Sequence, residues 1–336
     1  MAERFTIGKN DINDIYSRIR VRHQRELADN RSRLYEKIPG LRELEQEETE
    51  VNTSSILEMI HLSPEQVVKL KADRKQKLRE LGEKKRSMLL ANGESPDALT
   101  LSYDCPVCMD EGTVDGRRCD CYKKHLLGLL YRQSSLGDVL ERENFDTFSL
   151  DYYSPEKWDD VPSPRANMSS KLEKAKDFAN HFDNSGKSIL LYGEAGVGKT
   201  FLSNCIAKQL MEDGHTVLYV SANELFEEIL SPYIMSSDPD AREMLRPVYE
   251  LVYQSELLIL DDLGTELTNS FTISQLFEII NRRMNAHRST IISTNLSLEQ
   301  MKDRYQDRIV SRIIERYEIF KIYGKNIRSI KKTGKY

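Results

Sequence analysis

The spacing of apolar residues changes character along the chain. Between Asn10 and Ala28, Ile12, Ile15, Tyr16 and Ile19 recur at helical intervals, and Val67, Leu70, Leu78 and Leu81 mark a second such stripe. Leu34-Tyr35 and Ile38 lead into a break at Pro39-Gly40, and Leu41 through Ile60 resumes with a run of Glu and sparse apolar positions. Ser63-Pro64-Glu65 has the residue types of a helix start, with Ser63 as N-cap and Pro64 in the first turn. Both signs of charge are interleaved throughout this region. That pattern predicts a solvated helical hairpin or coiled-coil-like arm. The stripes are thin for a self-sufficient core, which favours an arm that docks on a partner protein.

From about residue 168 the pattern alternates helical segments with short, continuous apolar runs, which predicts an α/β domain built on a parallel sheet. Between the two regions lie a turn-rich stretch (Gly93-Glu-Ser-Pro-Asp97), four clustered cysteines, an apolar helix starting near Leu126, and a Pro-containing boundary, Val161-Pro-Ser-Pro-Arg165. The expected division is a helical charged region over 1–100, a cysteine module over 101–135, a linker over 136–167 and an α/β domain over 168–336. No internal repeat is visible.

Composition narrows the class. The chain has 336 residues, 31% charged and 39% hydrophobic, which suits a soluble, helix-rich protein. No apolar stretch approaches the roughly 20 residues of a membrane span. The opening Met1-Ala-Glu-Arg-Phe-Thr6 has no apolar signal segment, so a cytoplasmic location away from membranes is expected. The formal net charge of −5 excludes a wholesale polyanion coat and leaves nucleic-acid contact to a local basic patch.

Gly193-Glu194-Ala195-Gly196-Val197-Gly198-Lys199-Thr200 matches G-x-x-x-x-G-K-[ST] at every fixed position. It follows an apolar strand, Ser188–Tyr192, and opens a helix from Phe201 to Glu212 with Leu202, Ile206 and Leu210 on one face. Such a loop points successive N–H groups at phosphate oxygens, with the helix N-terminus adding partial positive charge. Lys199 is placed to meet the β- and γ-phosphates, and Thr200 to offer its hydroxyl to Mg²⁺. A nucleoside triphosphate is the expected ligand. A second apolar strand, Leu257-Leu-Ile-Leu260, ends in Asp261 and Asp262 and is expected to lie beside the phosphate-loop strand. Asp261 is read as the magnesium residue, acting through water, and Asp262 as the group that orients and polarises the attacking water. A third strand, Thr290-Ile-Ile-Ser-Thr294, ends at Asn295, read as reaching the γ-phosphate or the attacking water, or else as a helix N-cap. Cys205 on the phosphate-loop helix reads as a small core residue.

Arg304, Arg308, Arg312 and Arg316 fall four apart and are expected to share one helix face. A solvated basic face explains them; alternatively one reaches a neighbouring subunit's nucleotide, and Arg312 is the favoured candidate. Arg328 is read as contacting phosphate from the chain's own C-terminal end. Cys105-Pro-Val-Cys108 and Cys119-Asp-Cys121 flank a Gly-containing loop, and four such ligands suit a structural tetrahedral Zn²⁺. An iron–sulfur cluster is the alternative. Phe271 and Tyr233 are aromatics that either stack on bases or fill the core.

Taken together, the phosphate loop, Leu260-Asp-Asp-Leu-Gly-Thr-Glu266 and Ser293-Thr-Asn295 resemble the AAA+ ATPases of the bacterial helicase-loader group, the DnaC/DnaI family, close to the transposition helper IstB. The cysteine pattern is similar to the zinc-containing region of DnaI-type loaders. The resemblance covers roughly residues 100 to 330. It implies an AAA+ P-loop NTPase domain, preceded by a helical N-terminal region and a small zinc module, using ATP, Mg²⁺ and Zn²⁺. It further implies a helicase-docking N-terminal region and homo-oligomeric assembly through the ATPase domains. A replicative hexameric DNA helicase and single-stranded DNA become the expected partners, with ATP binding and hydrolysis switching ring loading and release. By the same resemblance Lys199 and Thr200 bind ATP–Mg²⁺ with the rest of the loop through Phe201. Asp261 and Asp262 serve metal and water, Asn295 is sensor 1, Arg312 the trans finger and Arg328 sensor 2. The alternatives are an IstB-like transposition helper that assembles on DNA, and a non-catalytic scaffold. No lid or acceptor-site signature supports a small-molecule kinase.

Overall fold

The computed structural model describes residues 5, 9–58, 63–133, 136–157, 160–183 and 185–333. Most of the opening stretch read above as lacking a signal segment, and Ile60, lie outside these. Two compact units are present, one of residues 14–112 and one of residues 1–13 with 113–336.

The first unit is helical. It holds most of α1 (Lys9–Lys37), then α2 (Leu41–Glu58) and α3 (Pro64–Ala91). Gly40 turns the chain between α1 and α2 at φ 82°, a left-handed conformation that suits glycine. Ser63 caps α3 through a reciprocal box: its Oγ accepts the Gln66 N–H, and Gln66 Oε1 accepts the Ser63 N–H. Leu34, Ile38, Leu41, Leu89 and Leu99 form a small core. Elsewhere the helices meet through ion pairs such as Lys77–Glu47 and Lys85–Glu48.

The second unit starts from a short hairpin, β1 (Thr113–Val114) with β2 (Arg117–Arg118), and continues through α4 (Asp120–Gln133), α5 (Leu136–Arg142) and α6 (Pro164–Asn180). Then come β3 (Ser188–Tyr192), α7 (Lys199–Glu212), β4 (Val217–Ser221), a π-helical segment (Glu224–Leu230), α8 (Ser231–Met235) and α9 (Pro239–Gln254). The remainder is β5 (Leu257–Leu263), α10 (Ser270–Asn285), β6 (Ser289–Thr294), α11 (Leu298–Tyr305), α12 (Asp307–Arg316), β7 (Tyr317–Lys321) and α13 (Ile327–Thr333). No described helix is long and apolar enough to cross a membrane.

Five strands form one parallel sheet in the order β4-β5-β6-β3-β7. β3, β5 and β6 are buried along nearly their whole length, as in a parallel sheet covered on both faces. One expectation is corrected here. The strand carrying Asp261 does not lie beside the phosphate-loop strand, because β6 intervenes and pairs with both. Chain order does not dictate spatial order, and β6, buried along its whole length, takes a central place. A second correction concerns the arginines. Gln306, at φ 72° and ψ 146°, separates α11 from α12, so Arg304 belongs to a different helix from Arg308, Arg312 and Arg316. A side chain at such a dihedral pair cannot continue a helix. Residues 136–157 are not bare connection: Leu140 and Tyr153 are in the domain core, and Phe145, Phe148, Leu150 and Tyr152 pack against it.

Candidate nucleotide site

The phosphate loop leaves β3 at its carboxyl end and enters α7. A Cβ on Gly193 (φ 150°) would lie 1.9 Å from the Ile322 carbonyl oxygen, and one on Gly196 (φ 80°) would lie 2.3 Å from Asn326 Oδ1. Both positions therefore require glycine, and both bring the C-terminal segment against the loop. The Ile327 N–H donates to the Gly196 carbonyl at 2.9 Å, which seats α13 beside the loop. Val197 is buried, and its carbonyl accepts the Tyr153 hydroxyl at 3.0 Å.

A cavity of about 350 Å³ opens over this loop. Ala195, Gly196, Gly198, Lys199, Thr200, Phe201, Asp262, Asn295 and Arg328 line it, together with Phe148, Tyr152 and Tyr153. Lys199 Nζ donates to the Gly193 carbonyl, the Glu194 carbonyl and Asn295 Oδ1, each at 2.7 Å. Desolvation pushes the Lys199 ammonium down to about 8, against the opposing pull of Asp262 and Asp261. Asp262 is raised above the ordinary carboxyl range by its own desolvation and by the charge of Asp261, with Lys199 and Arg328 opposing. Its backbone is left-handed (φ 53°), within an irregularity of the β5–β6 ladder between Leu260 and Leu263. A non-glycine residue held there stores local strain, a recurrent property of functional sites.

Asp261 is buried at the end of β5. Its Oδ1 accepts the Asp262 N–H at 3.1 Å, and its Oδ2 accepts the Tyr219 hydroxyl at 2.9 Å. Burial and the charge of Asp261 raise the Tyr219 phenol well above its ordinary value. A buried carboxylate and the Thr200 hydroxyl are hard oxygen donors that suit Mg²⁺. Cys205 is wholly buried, and burial pushes its thiol up to about 12, as fits a core residue.

Not every predicted residue enters the cavity. Arg312 is exposed, lies 5.0 Å from the Phe277 ring centroid and donates to Asn281 Oδ1. Arg308 lies over the same ring at 4.6 Å. Arg304 instead donates to the Glu266 carbonyl and to Thr268 Oγ1. Tyr233 stacks on Tyr249 with centroids 4.0 Å apart. The structure adds lining residues that the motifs did not reveal: Arg142, Glu143, Thr147, Phe148, Tyr152 and Tyr153. They come from the end of α5 and the stretch between α5 and α6, where no phosphate-binding motif marks them. The aromatic spacing Phe145, Phe148, Tyr152, Tyr153 was the available signal.

Cys105 and Cys108 belong to the first unit and Cys119 and Cys121 to the second, and four thiols are a donor set that suits structural zinc. Two buried features support the first knuckle. The Asp110 carboxylate accepts the Asp104 and Cys105 N–H groups, and the Gly112 N–H donates to Cys108 Sγ at 3.3 Å.

Residues 170–334 match the family described as IstB-like ATP binding protein. The chain carries an IstB-like ATP-binding domain. Its fold is that of an AAA+ P-loop domain, with a helical N-terminal region ahead of it. The chain also resembles the DnaC-type helicase loaders. It is 24% identical over 139 residues to the replicative helicase loader DnaC of Buchnera aphidicola subsp. Baizongia pistaciae, covering 41% of this chain and 55% of that protein. It is 23% identical over 164 residues to DnaC of Escherichia coli K12, covering 49% of this chain and 65% of that one. YdaV of Escherichia coli K12 is 28% identical over 142 residues, covering 42% and 55%. The chain thus spans between half and two thirds of the length of these relatives. Among solved structures, the DnaC helicase loader aligns at TM-score 0.44 and 25% identity, over 55% of this chain and 99% of that one. DnaI aligns at TM-score 0.44 and 23% identity, over 56% and 93%.

Proposed function

We propose that this protein is an ATP-dependent loader of a replicative DNA helicase, acting in the cytoplasm. Binding and hydrolysis of ATP switch the helicase ring between loading onto single-stranded DNA and release. The observation that carries this reading is the convergence of Lys199, Asp262, Asn295 and Arg328 on one cavity, in an IstB-like domain whose relatives include DnaC loaders. The loop amides from Gly193 to Phe201 cradle the phosphates. Lys199 meets the β- and γ-phosphates and exchanges its present acceptors for them. Thr200 and Asp261 hold Mg²⁺, which supplies positive charge against the triphosphate. Asp262 orients the attacking water, Asn295 senses the γ-phosphate beside it, and Arg328 contacts phosphate from α13.

Arg312 reaches the nucleotide of an adjoining subunit in a homo-oligomer. Its exposure, and its absence from its own chain's cavity, support that role. Loss of the γ-phosphate then removes a contact made from both sides and loosens the assembly. The four cysteines hold a structural Zn²⁺, with one zinc per chain expected by elemental analysis and none in Cys119→Ser. The helical N-terminal region grips the helicase.

The test is capture of a purified replicative helicase by the full chain in ATP and in ADP. Capture in ATP and release in ADP are expected, with capture lost on removing residues 1–100. Equal capture in both nucleotides, or by the shortened chain, sinks the loader reading. The family match also supports a second reading, an IstB-like transposition helper. Filaments on duplex DNA formed with ATP and without helicase would favour it.

A further inference from the structure

We infer that Tyr219 is a positioning residue for Asp261 and sets how well that carboxylate engages the magnesium–nucleotide complex. The inference rests on the assignment of Asp261 to Mg²⁺ made above. Tyr219 lies on β4, the strand next to β5, where the register pairs it with Ile259 and pairs Ser221 with Asp261. Side chains two residues apart share one face of a sheet, so the Tyr219 ring runs along the face that also bears Asp261. Its hydroxyl donates to Asp261 Oδ2 at 2.9 Å. Both residues are buried, Tyr219 at 8% exposure and Asp261 at 7%.

The local backbone explains why Asp261 needs such a partner. The β5–β6 ladder is irregular between Leu260 and Leu263, the stretch that contains Asp261. The carboxylate is instead pinned through its oxygens, by the Asp262 N–H at Oδ1 and by Tyr219 at Oδ2. Each oxygen keeps a lone pair for another donor, so pinning leaves Asp261 able to accept from metal-bound water. Packing alone does not call for a hydroxyl here, since phenylalanine fills nearly the same volume. A buried phenol normally finds a hydrogen-bond partner, and this one has found the acid at the nucleotide site.

The experiment titrates a fluorescent ATP analogue against the full-length protein, once across Mg²⁺ concentrations and once in EDTA. In Tyr219→Phe, the half-saturating Mg²⁺ concentration is expected to rise about tenfold, as when a hydrogen-bonded partner of a metal-binding carboxylate is removed. Metal-free binding is expected to stay as in the parent. Asp261→Asn is expected to shift the same midpoint, and adding Tyr219→Phe to it is expected to change nothing more, because the tyrosine acts only through the acid. An unchanged midpoint in Tyr219→Phe, with a shifted one in Asp261→Asn, overturns the role of Tyr219 and leaves the nucleotide reading intact. An unchanged midpoint in Asp261→Asn overturns both. Loss of metal-free binding in Tyr219→Phe makes the hydroxyl a determinant of the fold and overturns the positioning role.

Discussion

Glu94 in the helical unit and Lys199 in the IstB-like domain are each surrounded by hydrogen-bond partners, and their fates differ. Glu94 receives two hydrogen bonds from Arg33, at 2.8 and 3.0 Å, and one from Lys37 at 2.6 Å. Those two cations hold its carboxyl down at about 2, with Arg33 the stronger influence. Lys199 makes three bonds of 2.7 Å, but to two carbonyls and an amide oxygen, inside a closed loop. Desolvation there outweighs the nearby acids and brings its ammonium down to about 8. The number of partners is alike; burial and partner charge decide whether a group is locked in its charged form or drawn toward neutrality. The helical unit uses charge to dress a small core. The IstB-like domain takes charge out of water, at the wall of a cavity.

Substitutions can break this contrast. The largest effect is expected in the sheet. Leu190, wholly buried in β3, should cost about 4 kcal/mol of unfolding free energy when changed to Ala, read by denaturant unfolding. Val68 on α3 is 68% exposed, and its change to Ala should cost less than about 0.5 kcal/mol. Equal losses would mean that the two units are built alike after all.

Next in size, Lys199→Ala should weaken triphosphate binding about 100-fold while the protein stays folded, within the ~2–5 kcal/mol expected for truncating one partner of a buried charged contact. A fluorescent-nucleotide titration reads it. The same titration across pH sharpens the point about burial. In the ligand-free protein Lys199 gives up its proton near pH 8, and a bound triphosphate would hold that proton to higher pH. Affinity should therefore be level well below pH 8 and fall above it, by up to about tenfold per pH unit. Lys199→Gln should lack that fall.

The smallest effect is expected at Glu94. Its folded-state value lies below its ordinary one, so its contribution is present above about pH 4.5 and is lost as pH falls toward about 2. Glu94→Gln should melt slightly below the parent at neutral pH and together with it at pH 2, read by thermal unfolding at each pH. A gap that persists in acid would show that the ion pairs are not its cause.

Much of the site was legible before any coordinates. The phosphate loop announces itself because its chemistry needs glycines and a lysine at set intervals within eight residues, Gly193 to Thr200. The four cysteines were legible for a similar reason: two close cysteine pairs, 105/108 and 119/121, have the spacing of metal-ligand knuckles. The residues that complete the cavity were not. Phe148, Tyr152 and Tyr153 lie 40 to 45 positions before the loop, in a stretch whose polar punctuation reads as linker, and only packing carries them there.

The sequence by itself determined much of the local backbone: the apolar strands beside the phosphate loop, the helix start at Ser63, and which loop can wrap a phosphate. Those outcomes depend on neighbours a few residues apart. Tertiary structure alone decided that β6 separates β3 from β5, and that Arg312 sits on a helix distinct from Arg304. It also decided that Arg283, a basic residue in the last turn of α10, is wholly buried and donates to the carbonyls of Val252, Ser255 and Ser289. The physical reason is common to all three. Strand order, helix breaks forced by packing and the removal of a charge from water are settled by contacts between distant segments, and no short window of residues encodes them.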